Sequence, residues 1–261
     1  MFTISDLGQA VTSPARRNRS VRQGPLVVEV VGVAGAGKSA LCRALCRRDP
    51  SVRAGYQIWH LPHTWMLATG LLRLPTLVQC WRACGWSCWE EANHIVRLRT
   101  LSWWLSLESS KGYRILPLEE GAVYVLAWLY ALGHEGARSP VMERWWRAEL
   151  QRWAATLDVI IWLDAPDVLL AQRIRTRIES HPFANWADQP LYEFFASWRA
   201  GYKYVVSQLA ETPGPPPHPS PSPPGGEGRV RGPGLKVMKF ATDREPTDRI
   251  ADEVLTSLNG S

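Results

Sequence analysis

Hydrophobic and polar positions follow two rhythms along this chain. "LVVEVV" (Leu26 to Val31) is a short β-branched run, which predicts a strand. A glycine-rich turn follows, and then "KSALCRALCRR" (Lys38 to Arg48) places its apolar residues at helical spacing. "YQIWH" (Tyr56 to His60) predicts a second strand. A long helical stretch runs from about Thr64 to Ser110, with breaks near Pro75 and Gly85. "YRILPL" (Tyr113 to Leu118) predicts a third strand, and "GAVYVLAWLYALG" (Gly121 to Gly133) an apolar helix closed by glycine. Trp146, Leu150, Trp153 and Leu157 step by four, three and four residues, which is one face of a further helix. "DVIIWLD" (Asp158 to Asp164) predicts a fourth strand. "DVLLAQRIRTRI" (Asp167 to Ile178) predicts a helix with an acid in its first turn, where the helix dipole favours it. "LKVMKF" (Leu235 to Phe240) predicts a fifth strand, and Pro246 to Leu258 a final helix with proline near its start.

Strands alternating with helices imply an α/β fold, a parallel sheet covered by helices on both faces. The first, third and fourth strands are mostly continuous apolar runs, as strands buried on both faces require. With 261 residues, 46% of them apolar and 21% charged, the chain has material for a substantial core, which excludes a wholly disordered or disulfide-stapled protein. Two segments break the pattern. Residues 1–24 carry Arg16, Arg17, Arg19 and Arg22 against Asp6 and show no clear period, so a disordered basic arm is expected, with a transit peptide as the other reading. Residues 212–234 hold nine of the twenty prolines and are expected to be a Pro/Gly-rich disordered insertion in a domain spanning 25–261. The insertion is either a ligand for a proline-reading domain or a segment with no partner.

The net charge of +6 resides mostly in these two segments, so nucleic-acid binding by the folded part is not expected. Five cysteines, an odd number, and the absence of a secretory signal suggest a reducing, cytoplasmic setting. The most apolar stretch, Thr64 to Trp81, is interrupted by Arg73 and Pro75, so no transmembrane segment is expected. Cys42 and Cys46, and Cys80, Cys84 and Cys88, recur every four residues and are read as packing faces of helices rather than a metal site. Many tryptophans, Trp59, Trp65, Trp81, Trp89, Trp103 and Trp104 among them, cluster around the long helical stretch. They suit core or interface packing, stacking on a ligand, or contact with a membrane surface.

The sharpest chemical signal is "GVAGAGKS", Gly32 to Ser39. It fits G-x-x-x-x-G-K-[ST] at every fixed position, between a strand and a helix. Glycines let consecutive backbone N–H groups turn inward around an anion, and the helix N-terminus adds positive potential. Gly32, Ala34, Gly35, Ala36, Gly37, Lys38, Ser39 and Ala40 are therefore expected to hold the phosphates of ATP. Lys38 supplies a point charge to the outer phosphates, and the Ser39 hydroxyl is the expected ligand of Mg²⁺. The chain has no Asn-Lys-x-Asp element of GTPases and no Leu-Ser-Gly-Gly-Gln element of transporter ATPases.

"VVGVAGAGKSAL", "RILPLEEGAVYVLAWL", "DVIIWLDAPDVLLAQRIRTR" and the closing "LKVMKFATDREPTDRIADEVL" come in an order that resembles the thymidylate kinase and deoxynucleoside kinase group of P-loop kinases. The resemblance implies a three-layer sandwich with five parallel strands in the order 2-3-1-4-5, a helical substrate region and a mobile lid. It implies that Glu119, matching an acid directly after the third strand, receives the acceptor's proton or holds Mg²⁺ through water. Capping of the following helix is the other role open to Glu119. Arg173 and Arg177, one helical turn apart, match lid arginines that neutralise charge on the transferring phosphoryl group.

The group usually has an arginine after the acid, where this chain has Glu120 and then Gly121. A substrate phosphate would need another cation, for which Arg97, Arg99 and Arg114 are candidates. Asp164 suits either the ligand crevice or the turn at Pro166. Glu29, inside an apolar strand, needs a partner. The expected function is an ATP- and Mg²⁺-dependent phosphotransferase acting on a small-molecule acceptor. The alternative is an ATP-binding regulatory or interaction protein with little or no turnover. The apolar helices are compatible with a homodimer.

Overall fold

The structure, a computed structural model, describes residues 24–85, 88–177, 182–212 and 235–259. Apart from Gly24 and Thr212, the expected basic arm and proline-rich insertion lie outside the described residues. Five strands, β1 (Leu26–Val31), β2 (Tyr56–Gln57), β3 (Ile115–Glu120), β4 (Val159–Asp164) and β5 (Lys236–Ala241), form one sheet in the order β2-β3-β1-β4-β5. All four pairings are parallel. This is the expected order. In the centre, five of the six residues of β1 and five of the six of β3 are buried, which accounts for their apolar runs.

The helices are α1 (Lys38–Arg48), α2 (His63–Leu72), α3 (Leu74–Cys84), α4 (Trp89–Glu108), α5 (Ala122–Ala131), α6 (Pro140–Thr156), α7 (Asp167–Arg175), α8 (Asp188–Glu211) and α9 (Thr247–Asn259). α1 packs on α9, and α5 packs on α8, with both α1 and α5 against β1 and β3. α4 carries α2 and α3 and leans on α5. Because β1 pairs with β3 on one side and β4 on the other, the strand order reverses around it. A crevice opens there at the carboxyl ends, the usual ligand position in open α/β sheets.

The elements depart from expectation at four places. β2 ends at Gln57 and the chain turns into a 3-10 helix at Ile58–His60. The Ile58 carbonyl accepts from the Leu61 N–H at 3.4 Å, closing the 3-10 turn, and from the Arg97 guanidinium at 3.0 Å. β3 begins and ends two residues later than expected, so Glu119 and Glu120 are its last residues and Gln57 registers against Glu120. α7 stops at Arg175, where the Thr176 N–H and hydroxyl both close on the Gln172 carbonyl at 2.9 Å and Arg175 reaches Asp188 at 2.6 Å. Arg177 therefore lies beyond the helix rather than one turn along it. Finally, α8 has no counterpart among the expected elements. Its buried face, Leu191, Phe195, Trp198, Tyr202, Val205 and Leu209, nevertheless steps regularly by four and three.

Candidate functional site

The loop between β1 and α1 turns at Gly37, whose left-handed backbone (φ 95°, ψ 15°) opens α1 where a side chain would be strained. Lys38 is the first residue of the helix, and its Nζ donates to the Gly32 carbonyl at 2.8 Å. Burial pulls its ammonium below the usual lysine range; Glu120 opposes that and Arg177 adds to it. The Ser39 hydroxyl donates to Glu119 Oε2 at 2.6 Å, and Gln57 Nε2 donates to the same oxygen at 3.1 Å. Glu119 is buried, and Gly55 makes room for it: a Cβ on Gly55 would lie 2.3 Å from Glu119 Oε1. Glu120 accepts a hydrogen bond from Trp59 Nε1.

Glu29 supplies the cap that the sequence suggests for Glu119. From the middle of β1 it accepts hydrogen bonds from the backbone N–H groups of Gly121 (3.1 Å), Val123 (3.0 Å) and Tyr124 (2.9 Å). These are orphan donors at the start of α5, whose N-cap residue, Gly121, has no side chain to satisfy them. A Cβ on Gly121 would meet Glu29 Oε2 at 2.8 Å, so glycine lets the buried carboxylate reach the helix end. Burial pushes the Glu29 carboxyl up to about 7 despite those hydrogen bonds. The cap fixes the β3–α5 junction from which Glu119 and Glu120 project.

A cavity of about 260 Å³ lies over the loop. Its floor is formed by the phosphate loop with Lys38 and Ser39, one edge by Gln57, Glu119 and Glu120, and its walls by Tyr124, Trp128, Leu132, Phe183, Phe194, Trp198 and Tyr202. Tyr124 and Trp198 are stacked with centroids 4.9 Å apart. Trp128 is backed by His94, stacked at 4.1 Å. Tyr202 reaches the loop itself, donating to the Gly32 carbonyl at 3.3 Å. A second cavity abuts the loop and is lined by Arg43, Arg173, Arg177, Thr242 and Thr247.

Of the lid candidates, Arg173 binds the Gly35 carbonyl at 3.2 Å and the Thr242 hydroxyl and carbonyl at 2.9 and 2.8 Å, tying α7 to the loop and to the end of β5. Arg177 lines both cavities. Arg97, Arg99 and Arg114 line neither. Arg97 is buried against Ile58 and Trp59. Arg114, at the opposite end of β3, pairs with Asp49. Among the described residues that line the first cavity, the cations are Lys38 and Arg177. Asp164 bonds the Ala165 N–H at 2.9 Å and holds Arg199 at 3.0 Å, so it fixes the turn and ties it to α8.

Sequence reasoning passed over Gln57, Arg199 and the aromatic wall from α5 and α8. The wall's signal was available: Phe194, Trp198 and Tyr202 recur every four residues. Arg199 follows Trp198 directly, but its distance from Asp164 in sequence hides the pair.

No family model matches the chain, and no curated protein matches it. Solved structures do. A deoxyadenosine kinase from M. mycoides, described with dCMP and a flexible dCDP bound, superposes over 90% of this chain and 100% of its own at 10% identity and a TM-score of 0.52. Thymidylate kinase from Candida albicans superposes over 91% of this chain and 92% of its own at 11% identity and a TM-score of 0.53. The strand order, the strand–loop–helix at Gly32–Ser39 and these superpositions agree: the chain has the fold of the P-loop kinases.

Proposed function

We propose that this protein transfers the γ-phosphoryl group of ATP to a hydroxyl of a planar acceptor that carries no phosphate. The observation that carries the proposal is the contact of Ser39 with Glu119 at the mouth of the phosphate loop, 2.6 Å long and facing an aromatic chamber. A hydroxyl and a carboxylate oxygen side by side suit Mg²⁺, a hard cation that keeps several waters and takes its other ligands from substrate phosphates. Mg²⁺ held by Ser39 and Glu119 would neutralise charge on the β- and γ-phosphates.

The remaining work falls to the chain's own groups. Loop N–H groups and Lys38 cradle the phosphates, releasing Lys38 from the Gly32 carbonyl that now engages it. The nucleoside end of ATP extends into the second cavity, past Arg173 and Thr242. Arg177, which borders both cavities, faces the group in transit and offsets its charge. Glu119 is assigned with Ser39 to the Mg²⁺ site, which leaves Glu120, oriented by Trp59 at the edge of the same cavity, to receive the proton of the acceptor hydroxyl. The acceptor oxygen bonds to phosphorus as the bridging oxygen to the β-phosphate leaves with ADP.

Acceptor chemistry follows from the lining. Tyr124, Trp128, Phe194 and Trp198 line the space with aromatic surface, which suits a planar molecule. Lys38 and Arg177, the cations of this space, are engaged with the ATP phosphates and the group in transit, so an acceptor phosphate would meet Glu120 with no cation of its own. A coupled assay of ADP release, run with Mg²⁺ and paired nucleosides and nucleoside monophosphates, tests this. Turnover with the uncharged member of a pair and not with its monophosphate is expected. Preference for the monophosphate refutes the acceptor assignment. ATP binding with no acceptor-dependent release across such a panel favours the regulatory, non-turnover alternative.

A further inference from the structure

We propose that the α2–α3 rod docks on an anionic lipid surface. α2 and α3 meet at Arg73, and helical bonding runs through it: its N–H donates to the Thr69 carbonyl at 2.9 Å and its carbonyl accepts from the Leu77 N–H at 3.0 Å. Pro75, with no N–H, sits just beyond the junction. One side of the rod packs on α4, on α6 and on the 3-10 helix Glu135–Arg138, and buries Thr69 and Cys80. The other side carries Leu67, Leu71, Leu72, Leu74, Val78 and Trp81, each between 41% and 69% exposed. Leu67, Leu71, Leu74, Val78 and Trp81 step by four, three, four and three, so they make one continuous ridge. Large apolar side chains exposed together mark an interaction surface, whereas scattered ones do not.

Charge decides the occupant. From residue 50 to residue 89 the sequence contains no Asp or Glu, while Arg73 and Arg82 lie within the rod. Arg73 is also within electrostatic reach of Arg99, which has Arg152 beside it. The carboxylate next to them, Glu149, is already paired with Arg152. Two copies of this ridge face to face would bring Arg82, exposed beside Trp81, against its own copy, with no carboxylate in residues 50–89 to offset it. An anionic bilayer supplies both complements. Leucines enter the acyl boundary, arginine stems lie along it with their heads at the phosphates, and Trp81 sits at headgroup level. No helix among the described residues is long and apolar enough to cross a membrane, so the contact is one of lying on the surface.

The test uses the full chain and co-sedimentation with vesicles of phosphatidylcholine alone or mixed with phosphatidylglycerol. The wild type is expected to sediment with the anionic vesicles and not with the neutral ones. Leu71→Asp with Leu74→Asp, at exposed positions, is expected to lower bound protein by about tenfold or more, with thermal unfolding unchanged. Arg73→Gln with Arg82→Gln keeps the ridge and is expected to weaken binding to the anionic vesicles. Three results overturn the proposal. The first is no vesicle binding by the wild type. The second is full binding by the leucine variant, which would move the interaction to residues 1–24. The third is a wild-type dimer that does not bind vesicles and that the leucine variant makes monomeric, which would assign the ridge to a second copy.

Discussion

The proposed phosphate and acceptor halves of the cleft are built from the chain in opposite ways. Eight consecutive residues, Gly32 to Ser39, make the phosphate half. Their chemistry is largely main-chain: N–H groups, a helix N-terminus and one point charge. The acceptor half assembles from Gln57 at the end of β2, Glu119 and Glu120 at the end of β3, Tyr124 and Trp128 on α5, and Trp198 and Tyr202 on α8. Its chemistry is all side-chain. A motif of eight consecutive residues is legible in the chain itself, whereas a chamber gathered from four elements leaves no single local signature. Glu29 stands between the halves, since it leaves β1 beside the loop and holds the start of α5.

Substitutions can break this division. The largest effect is expected at Lys38→Ala, which should cut kcat/KM by about a thousandfold by removing the charge on the outer phosphates. A modest loss there would mean that the loop does not serve transfer. Glu29→Gln comes next. Because burial raises this carboxyl to about 7 from 4.5, the folded chain binds more protons than the unfolded one between those values. The contribution to stability is therefore full below about pH 4.5 and is lost as pH rises to about 7. Relative to wild type, the Gln variant should gain about 3 kcal/mol between pH 4.5 and 8. Urea unfolding of both proteins across that range would show it, and parallel curves would place the titration elsewhere.

Gly121→Ala should cost about 1–3 kcal/mol, because its Cβ would drive the carboxylate off the α5 N–H groups. A thermal melt equal to wild type would show that the junction yields. Trp198→Ala should raise the acceptor KM by about tenfold and leave the ATP KM alone. Equal effects on both constants would merge the two halves. The smallest effect is expected at Arg175→Ala, which loses an exposed pair with Asp188 worth about 0.5 kcal/mol.

Sequence pattern revealed the fold where signals are local. Continuous apolar runs marked β1, β3 and β4 because both their faces are covered. β2 was overextended because Ile58 and Trp59 look strand-like, yet the Ile58 carbonyl closes a 3-10 turn and accepts from Arg97. α8 went unnamed although its apolar face is regular, since no turn signal introduces Asp188 as plainly as Pro246 introduces α9. In the site, Lys38 and Ser39 were legible from spacing alone. Glu119 was legible only through resemblance, and the cap reserved for it belongs to Glu29, 92 residues before Gly121 in the chain. The missing arginine after Glu119 was visible, but its consequence needed the placement of Arg97 and Arg114, which line neither cavity.

The most direct measurement is to incubate the purified chain with Mg²⁺, γ-labelled ATP and uncharged planar hydroxyl compounds, and to separate the products. Label is expected in the acceptor, dependent on Lys38 and Glu120 and absent from parallel reactions with the acceptor's monophosphate. Label found only in ATP and inorganic phosphate, with ATP binding intact, would contradict phosphoryl transfer in this cleft.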